Sequence, residues 1–344
     1  MTNIQDVAKQ AGVSISTVSR VLNGTAKVND EVKKRVEACI LALAYQPNQA
    51  ARSLRTNRSK IIGLLISDIQ NPFFMQLIQG VEEEALRHEY SLILCNSNEN
   101  AQREQQYLDV LYSERVAGAI IVPTRERLGD TILNKFRERH IPIVAVDRRV
   151  KDKDVDAVLV DNVRGAREAI AHLISNGYSR IGAITGPLNV TTGRDRLEGY
   201  RQALREAGIP HDPSLERSGT FDAATGRKLT AELLKLQPAI DALFIGNNLL
   251  TLGALDALHT HNLQVPKDIG LVGYDETYWS SLGSLSLTTV MQPAYELGCA
   301  AALRLFQHLQ NPAIQSRQEV ILAPLLMVRG SSLPKEVGQF KVQV

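Results

Sequence analysis

The sequence predicts a small all-α headpiece of helix, turn and helix, joined to a larger α/β body whose parallel sheets fall into two lobes. Three observations predict this. The chain has 344 residues, more than one core usually supports. Apolar residues between Ile4 and Leu43 recur at helical spacing. From Ile61 onward, short apolar runs alternate with longer amphipathic segments, the pattern of parallel strands with helical crossovers, and the runs are too numerous for one small sheet.

In chain order, Thr2 is placed to cap a first helix with Gln5 three residues on, and Ile4, Val7, Ala8 and Ala11 form its apolar stripe. Gly12 ends that helix, Val13 and Ser14 complete a tight turn, and Ser14 caps a second helix seated by Val18, Val21 and Leu22. After Asn23-Gly24, Asn29 caps a third helix, with Asp30 and Glu31 in its first turn and Val32, Val36, Cys39, Ile40 and Leu43 on one side. Pro47 breaks the pattern, and "NQAARSLRTNRSK" (48–60), with almost no apolar stripe, reads as a linker.

The predicted strands are 61–66, 91–95, 118–122, 142–146, 157–160, 181–185, 242–246 and 269–273. Helices are predicted at about 73–88, 102–114, 163–176, 194–207, 222–236, 249–260 and 293–310. "LTTVMQP" (287–293) and "VILAPLLMV" (320–328) are extended pieces able to cross between lobes and complete both sheets. No internal repeat is visible, and the last residues lack a heptad pattern.

Charge divides the chain. Residues 1–60 hold ten Lys and Arg against four Asp and Glu, a net +6, while the other 284 carry 29 basic and 33 acidic side chains, a net −4. Basic charge gathered at one end is the footprint of phosphate contact. The three cysteines, Cys39, Cys95 and Cys299, lie far apart and unpaired, which fits a reducing compartment. The N-terminus lacks the regions of a signal peptide and no apolar run is long enough to span a bilayer, so a cytoplasmic protein is expected. No phosphate-cradling or nucleophile motif occurs, and His259 and His261 have no cluster at metal spacing, so neither catalysis, metal nor cofactor is expected.

The stretch "GVSISTVSRVLNG" (12–24) combines an apolar side that seats a helix with a polar side suited to a DNA groove. Ile15 and Ser16 would enter the major groove, Thr17 and Ser19 would donate to phosphates, and Arg20 would make a bidentate contact to guanine. With "LAYQPNQAARSLRTNRSKIIGLLI", "NPFF", "VDR", "RLEGY", "VPKDIGLVGYDE" and "LTTVMQP", it closely resembles the LacI/GalR (lactose repressor) family of bacterial transcription regulators across nearly the whole chain.

That resemblance implies a periplasmic-binding-protein-like body and further DNA contacts at Thr2, Ser14 and Asn23. It also implies a hinge helix entering the minor groove through Asn48, Ala51, Arg52, Leu54 and Arg55, with Leu54 as the wedge that kinks the duplex. Eight or so residues form no stable isolated helix, so the hinge should fold only against DNA and a second subunit.

Carried over position by position, the family pattern places an effector among Ser67, Asp68, Asn71, Phe73, Asp147, Arg148, Thr192, Arg196, Asn247, Asp275 and Trp279. Such a set suits a polyhydroxylated ligand. Asn248 stands where the family often has Asp. Arg148, Arg194 and Arg196 leave a sugar acid or sugar phosphate open beside a neutral sugar.

The expected organisation is a headpiece (1–47), a hinge (48–59), an effector-binding and dimerisation body (60–332) and a tail (333–344). Within the body, 60–161 with 292–320 form one lobe and 162–291 with 321–332 the other. The expected function is a homodimeric regulator, more a repressor than an activator, that binds pseudo-palindromic operator DNA and responds to a small effector acting as inducer or corepressor. Rival readings are a sensor of a purine or a phosphoprotein, a solute-binding protein and a sugar-acting enzyme.

Overall fold

The computed structural model describes residues 3–23, 28–45, 59–152, 155–281, 286–311 and 317–334. The chain divides into two compact units, Met1–Ser59 and Lys60–Val344.

The first unit contains α1 (Ile4–Ala11), α2 (Ile15–Asn23) and α3 (Asp30–Ala42). The cap of α1 is Asn3 rather than Thr2: its Oδ1 accepts from the Gln5 and Asp6 amides at 2.8 and 3.1 Å, and Asp6 accepts from the Asn3 amide at 2.9 Å. This reciprocal pair satisfies amides that the first turn leaves unbonded. Gly12 follows at φ +65°, a left-handed turn that only glycine adopts without strain. Ser14 Oγ caps α2 by accepting from the Thr17 amide at 3.2 Å. Val7, Ala8, Ala11, Val18, Val36 and Cys39 make one small core, and the Arg35 side chain ties α3 to the Ala11 carbonyl at 2.9 Å. The expected DNA contacts Thr2, Asn48, Ala51, Arg52, Leu54 and Arg55 lie outside the described residues.

The second unit alternates strands and helices: β1 (Ile61–Ile66), α4 (Pro72–Arg87), β2 (Ser91–Asn96), α5 (Ala101–Ser113), β3 (Gly118–Ile121), α6 (Asp130–Glu138), β4 (Ile143–Val146) and β5 (Asp156–Val160) build the first lobe. The second lobe takes α7 (Asn162–Ser175), β6 (Ile181–Thr185), α8 (Thr191–Glu206), β7 (Glu216–Ser218), α9 (Ala223–Leu233), β8 (Ala242–Ile245), α10 (Asn248–Thr260), β9 (Gly270–Tyr274) and β10 (Thr288–Met291). The chain then returns through α11 (Ala294–Gln310) and β11 (Glu319–Leu322) to the first lobe, and ends with β12 (Leu325–Met327) in the second. Helix α6 and strand β7 were not predicted, because each is short and flanked by charge.

The sheet orders are β11-β5-β4-β3-β1-β2 and β12-β10-β9-β8-β6-β7, parallel except for the β10–β12 pair. Because β11 runs to Leu322, the last crossing falls at 323–324 and not between 320 and 321 as the sequence suggested.

Period-2 alternation feeds both faces of each sheet. Ile62, Leu64 and Ile66 face α4 and α11, while Leu65 joins the cluster of α5 and α6. In the second lobe, Ala183 packs with α7 and α8, and Ile184 with α9 and α10. Helices α4 and α11 touch backbone to backbone: a Cβ at Gly80 would lie 2.2 Å from the Tyr295 carbonyl. No described helix is long and apolar enough to cross a membrane.

Candidate functional site

A cleft lies between the lobes. All of its lining residues follow the C-terminal end of a strand or open the next helix, the end at which parallel α/β sheets hold ligands. From the first lobe come Asp68, Asn71, Phe73, Phe74, Glu99, Asp147 and Arg148; from the second come Thr192, Arg196, Phe221, Asn247 and Asp275; Gln292 follows β10.

Nine residues expected at an effector site therefore converge, and two do not. Ser67 is buried behind the wall, where its carbonyl accepts the Glu99 amide at 2.8 Å. Trp279 is withdrawn from the cavity, since it packs against the apolar cluster of the second lobe. Glu99 and Phe221 went unnoticed in the sequence, as did the site role of Gln292 in "LTTVMQP"; Phe221 could be found only by recognising the three-residue strand β7 before it.

Local structure fixes each group. Asn71 caps α4 by accepting from the Phe73 amide at 3.0 Å, and Asn247 caps α10 by accepting from the Leu250 amide at 2.8 Å. The Phe73 and Phe74 rings meet edge to face with centroids 5.0 Å apart. Arg148 puts its fork on Glu99, with Nη2 to Oε1 at 2.6 Å and Nη1 to Oε2 at 2.8 Å, and lies 5.5 Å from the Phe221 ring centroid across the cleft. Arg196 donates Nε to Asn162 Oδ1 at 2.8 Å and Nη1 to the Gly246 carbonyl at 2.5 Å, and its guanidinium covers the Tyr274 ring at 3.8 Å. Arg194 lies off the lining and pairs with Glu126 and, at 3.5 Å, with Asp195.

The three arginines thus do not form an anion clamp. Both lining arginines give most of their donors to the protein, and Asp68, Glu99, Asp147 and Asp275 outnumber Arg148 and Arg196 on the walls. Burial pushes Asp147 up to about 6 although Arg148 and Arg196 oppose the shift, and burial likewise raises Asp275 and Asp68. Burial also works against charge on Glu99, but the Arg148 fork outweighs it and holds that carboxyl below its usual range. On the walls, the buried acceptors Asp147 Oδ1 and Gln292 Oε1 have no protein donor. A ligand rich in hydroxyl donors satisfies such walls, and an added anion does not.

In the headpiece, Ser14, Ile15, Ser16 and Arg20 are exposed and Thr17 half-buried, on the helix that follows the Gly12 turn. The Ser14 hydroxyl lies 2.7 Å from that of Ser16 and 2.9 Å from that of Thr17. Asn23 is the last residue of α2. Ser19 departs from the expectation: it is only 8% exposed, because it sits beside Val18 on the packed side.

Residues 59–329 match the family described as periplasmic binding proteins and sugar binding domain of the LacI family, and residues 3–48 match the bacterial regulatory proteins of the lacI family. The chain is 38% identical to the ribose operon repressor of Escherichia coli (strain K12) over 333 residues, 96% of this chain and 100% of that one. It superposes with a TM-score of 0.84 on the lac repressor dimer bound to operator and the anti-inducer ONPF, at 28% identity over 96% of this chain and 99% of that one. A LacI family regulator from Enterococcus faecium with bound ribose gives 0.71, at 30% identity over 80% of this chain and 99% of that one.

Proposed function

The chain belongs to the LacI family of bacterial regulatory proteins, and on that premise we propose that it is a cytoplasmic repressor whose cleft senses a neutral sugar of about pentose size. Two headpieces of a homodimer read the halves of a pseudo-palindromic operator, with Ser16 and Arg20 reaching base edges and Ser14 and Thr17 holding phosphates. The hinge at 48–55 inserts Leu54 into the minor groove. The work of the molecule is sensing and DNA binding, not catalysis.

The observation that carries the ligand class is the state of the two cleft arginines. Arg148 gives both Nη groups to Glu99, and Arg196 gives Nε to Asn162 and Nη1 to the Gly246 carbonyl, so most of the donors a carboxylate or phosphate would need are already engaged. The unpartnered oxygens of Asp147 and Gln292 on the walls call for hydroxyl donors, and Phe73, Phe74 and Phe221 offer rings to a sugar's carbon faces. The ribose in the Enterococcus faecium regulator and the name of the Escherichia coli relative support the same class.

The sugar acts by binding one relative arrangement of the lobes more tightly than another, which is the only way a ligand shifts such an equilibrium. The test is calorimetric titration of the full chain with D-ribose, other neutral pentoses, D-ribonate and D-ribose 5-phosphate. It is paired with binding to a duplex selected from a random pool, with and without sugar. Heat from a neutral pentose that also shifts DNA affinity supports the reading; heat from the phosphate or the acid alone overturns it.

A further inference from the structure

We propose that Asn248 is a positioning residue that holds the lobes closed over the effector through an amide clasp on Asn71. Asn71 stands on the first lobe and Asn248 opens α10 of the second. Asn248 Nδ2 donates to Asn71 Oδ1 at 2.8 Å, and both residues are buried.

The direction of this bond is fixed from outside it. Asn71 Oδ1 already accepts the Phe73 amide at 3.0 Å as the cap of α4, so the face it turns to the second lobe is an acceptor. Only a donor at position 248 answers it. The backbone of Asn248 is anchored separately, its amide 3.4 Å from Asp275 Oδ2, which leaves the side chain free to serve the other lobe. The clasp joins elements that change their spacing if the cleft opens, and Asn71 lines the cavity itself. The clasp therefore contributes to closure, and it strengthens effector binding by favouring the closed arrangement.

Aspartate is nearly isosteric with asparagine and replaces the donor with a charged acceptor. In Asn248→Asp the new carboxylate would face Asn71 Oδ1 and Asp275. The charged groups lining the surrounding cavity are Asp68, Glu99, Asp147, Asp275, Arg148 and Arg196, an excess of acid that deepens the repulsion. Protonation restores a donor and removes the charge, so the defect should reverse in acid.

The proposal rests on the cleft being the effector site, and two readouts separate the claims. With D-ribose as the probe, Asn248→Asp should bind about tenfold or more weakly than wild type at about pH 7.5, and within about threefold of wild type at about pH 5. In the ligand-free full chain, hydrogen exchange over 67–77 and 244–252 should be faster in the variant than in wild type at the higher pH only. Asn248→Ala, which removes the donor without adding charge, should show a smaller loss independent of pH. Unaltered exchange in Asn248→Asp, or an equal defect at both pH values, overturns the clasp. Failure of D-ribose to bind wild type removes the sugar reading, and the exchange comparison then decides the clasp alone.

Discussion

Asp147 and Asp275 occupy the same place in the two lobes. Each follows the third strand of its sheet, β4 or β9, counted from the edge the chain fills last. Each has a left-handed backbone, φ +67° and +71°, and each donates its amide at 2.9 Å to the neighbouring strand, to the Val158 carbonyl in one lobe and the Val290 carbonyl in the other. A non-glycine residue in that region carries local strain. Here the repeated geometry lets two carboxylates line one cavity, both buried.

Asp147→Asn is expected to abolish sugar binding while stabilising the protein at neutral pH. The folded carboxyl is pushed up to about 6 from an ordinary 3.8, so between those values the native state holds a proton that the unfolded chain has released. The stability Asp147 contributes is thus fully present below about 3.8 and lost as pH rises through about 6. The cost of ionising it in place is roughly 2 to 3 kcal/mol. Thermal unfolding of the variant should exceed wild type by several degrees at about pH 7.5 and match it near pH 4. A variant less stable than wild type at neutral pH would show that the carboxylate is not under strain.

Gly80→Ala should loosen the first lobe. The added Cβ meets the Tyr295 carbonyl at 2.2 Å, and backbone cannot swing aside as a side chain does. Separating α4 from α11 should cost about 1 to 3 kcal/mol, read as a fall in the unfolding midpoint. Gly12→Ala in the headpiece meets no atom, and its penalty should be the smaller one of a left-handed turn alone.

The sequence made the helices and most strands legible because apolar spacing alone decides them, as with Ile62, Leu64 and Ile66. Family resemblance then brought distant residues such as Asp68 and Asn247 to one site. What it left illegible was set by neighbours in space. Ser19 reads as polar face until packing puts it beside Val18. Trp279 reads as a cleft residue until the second-lobe cluster claims it. The equivalence of Asp147 and Asp275 leaves no sequence repeat, because backbone geometry and strand order carry it and side-chain identity does not.

On the headpiece, Arg20→Ala should weaken operator binding by about 1 to 3 kcal/mol and relax preference at one base position per half-site. Ser19→Ala should change neither affinity nor preference, since the side chain is buried. Binding measured on a set of singly substituted operators distinguishes the two. An equal loss on every sequence for Arg20→Ala would make Arg20 a phosphate contact and move base reading to Ser16 and Ile15.

Glu99→Gln should change which ligands the cleft admits. Glu99 occupies both Nη groups of Arg148, and the neutral amide offers only one acceptor oxygen in its place. That frees part of the guanidinium fork and removes one of the four wall carboxylates. Asp147 remains 3.6 Å from Arg148 Nε, so the buried cation keeps a partner and the loss of stability should stay near about 1 to 3 kcal/mol. Affinity for D-ribose should fall, because Arg148 is no longer held against Phe221, while D-ribonate or D-ribose 5-phosphate should gain measurable binding. Calorimetry with the three ligands on both proteins reads the exchange of preference directly. If the anions stay excluded while D-ribose binds as before, the Glu99 fork is not what sets the charge of the ligand, and the acid excess around Asp147 and Asp275 carries that selection instead.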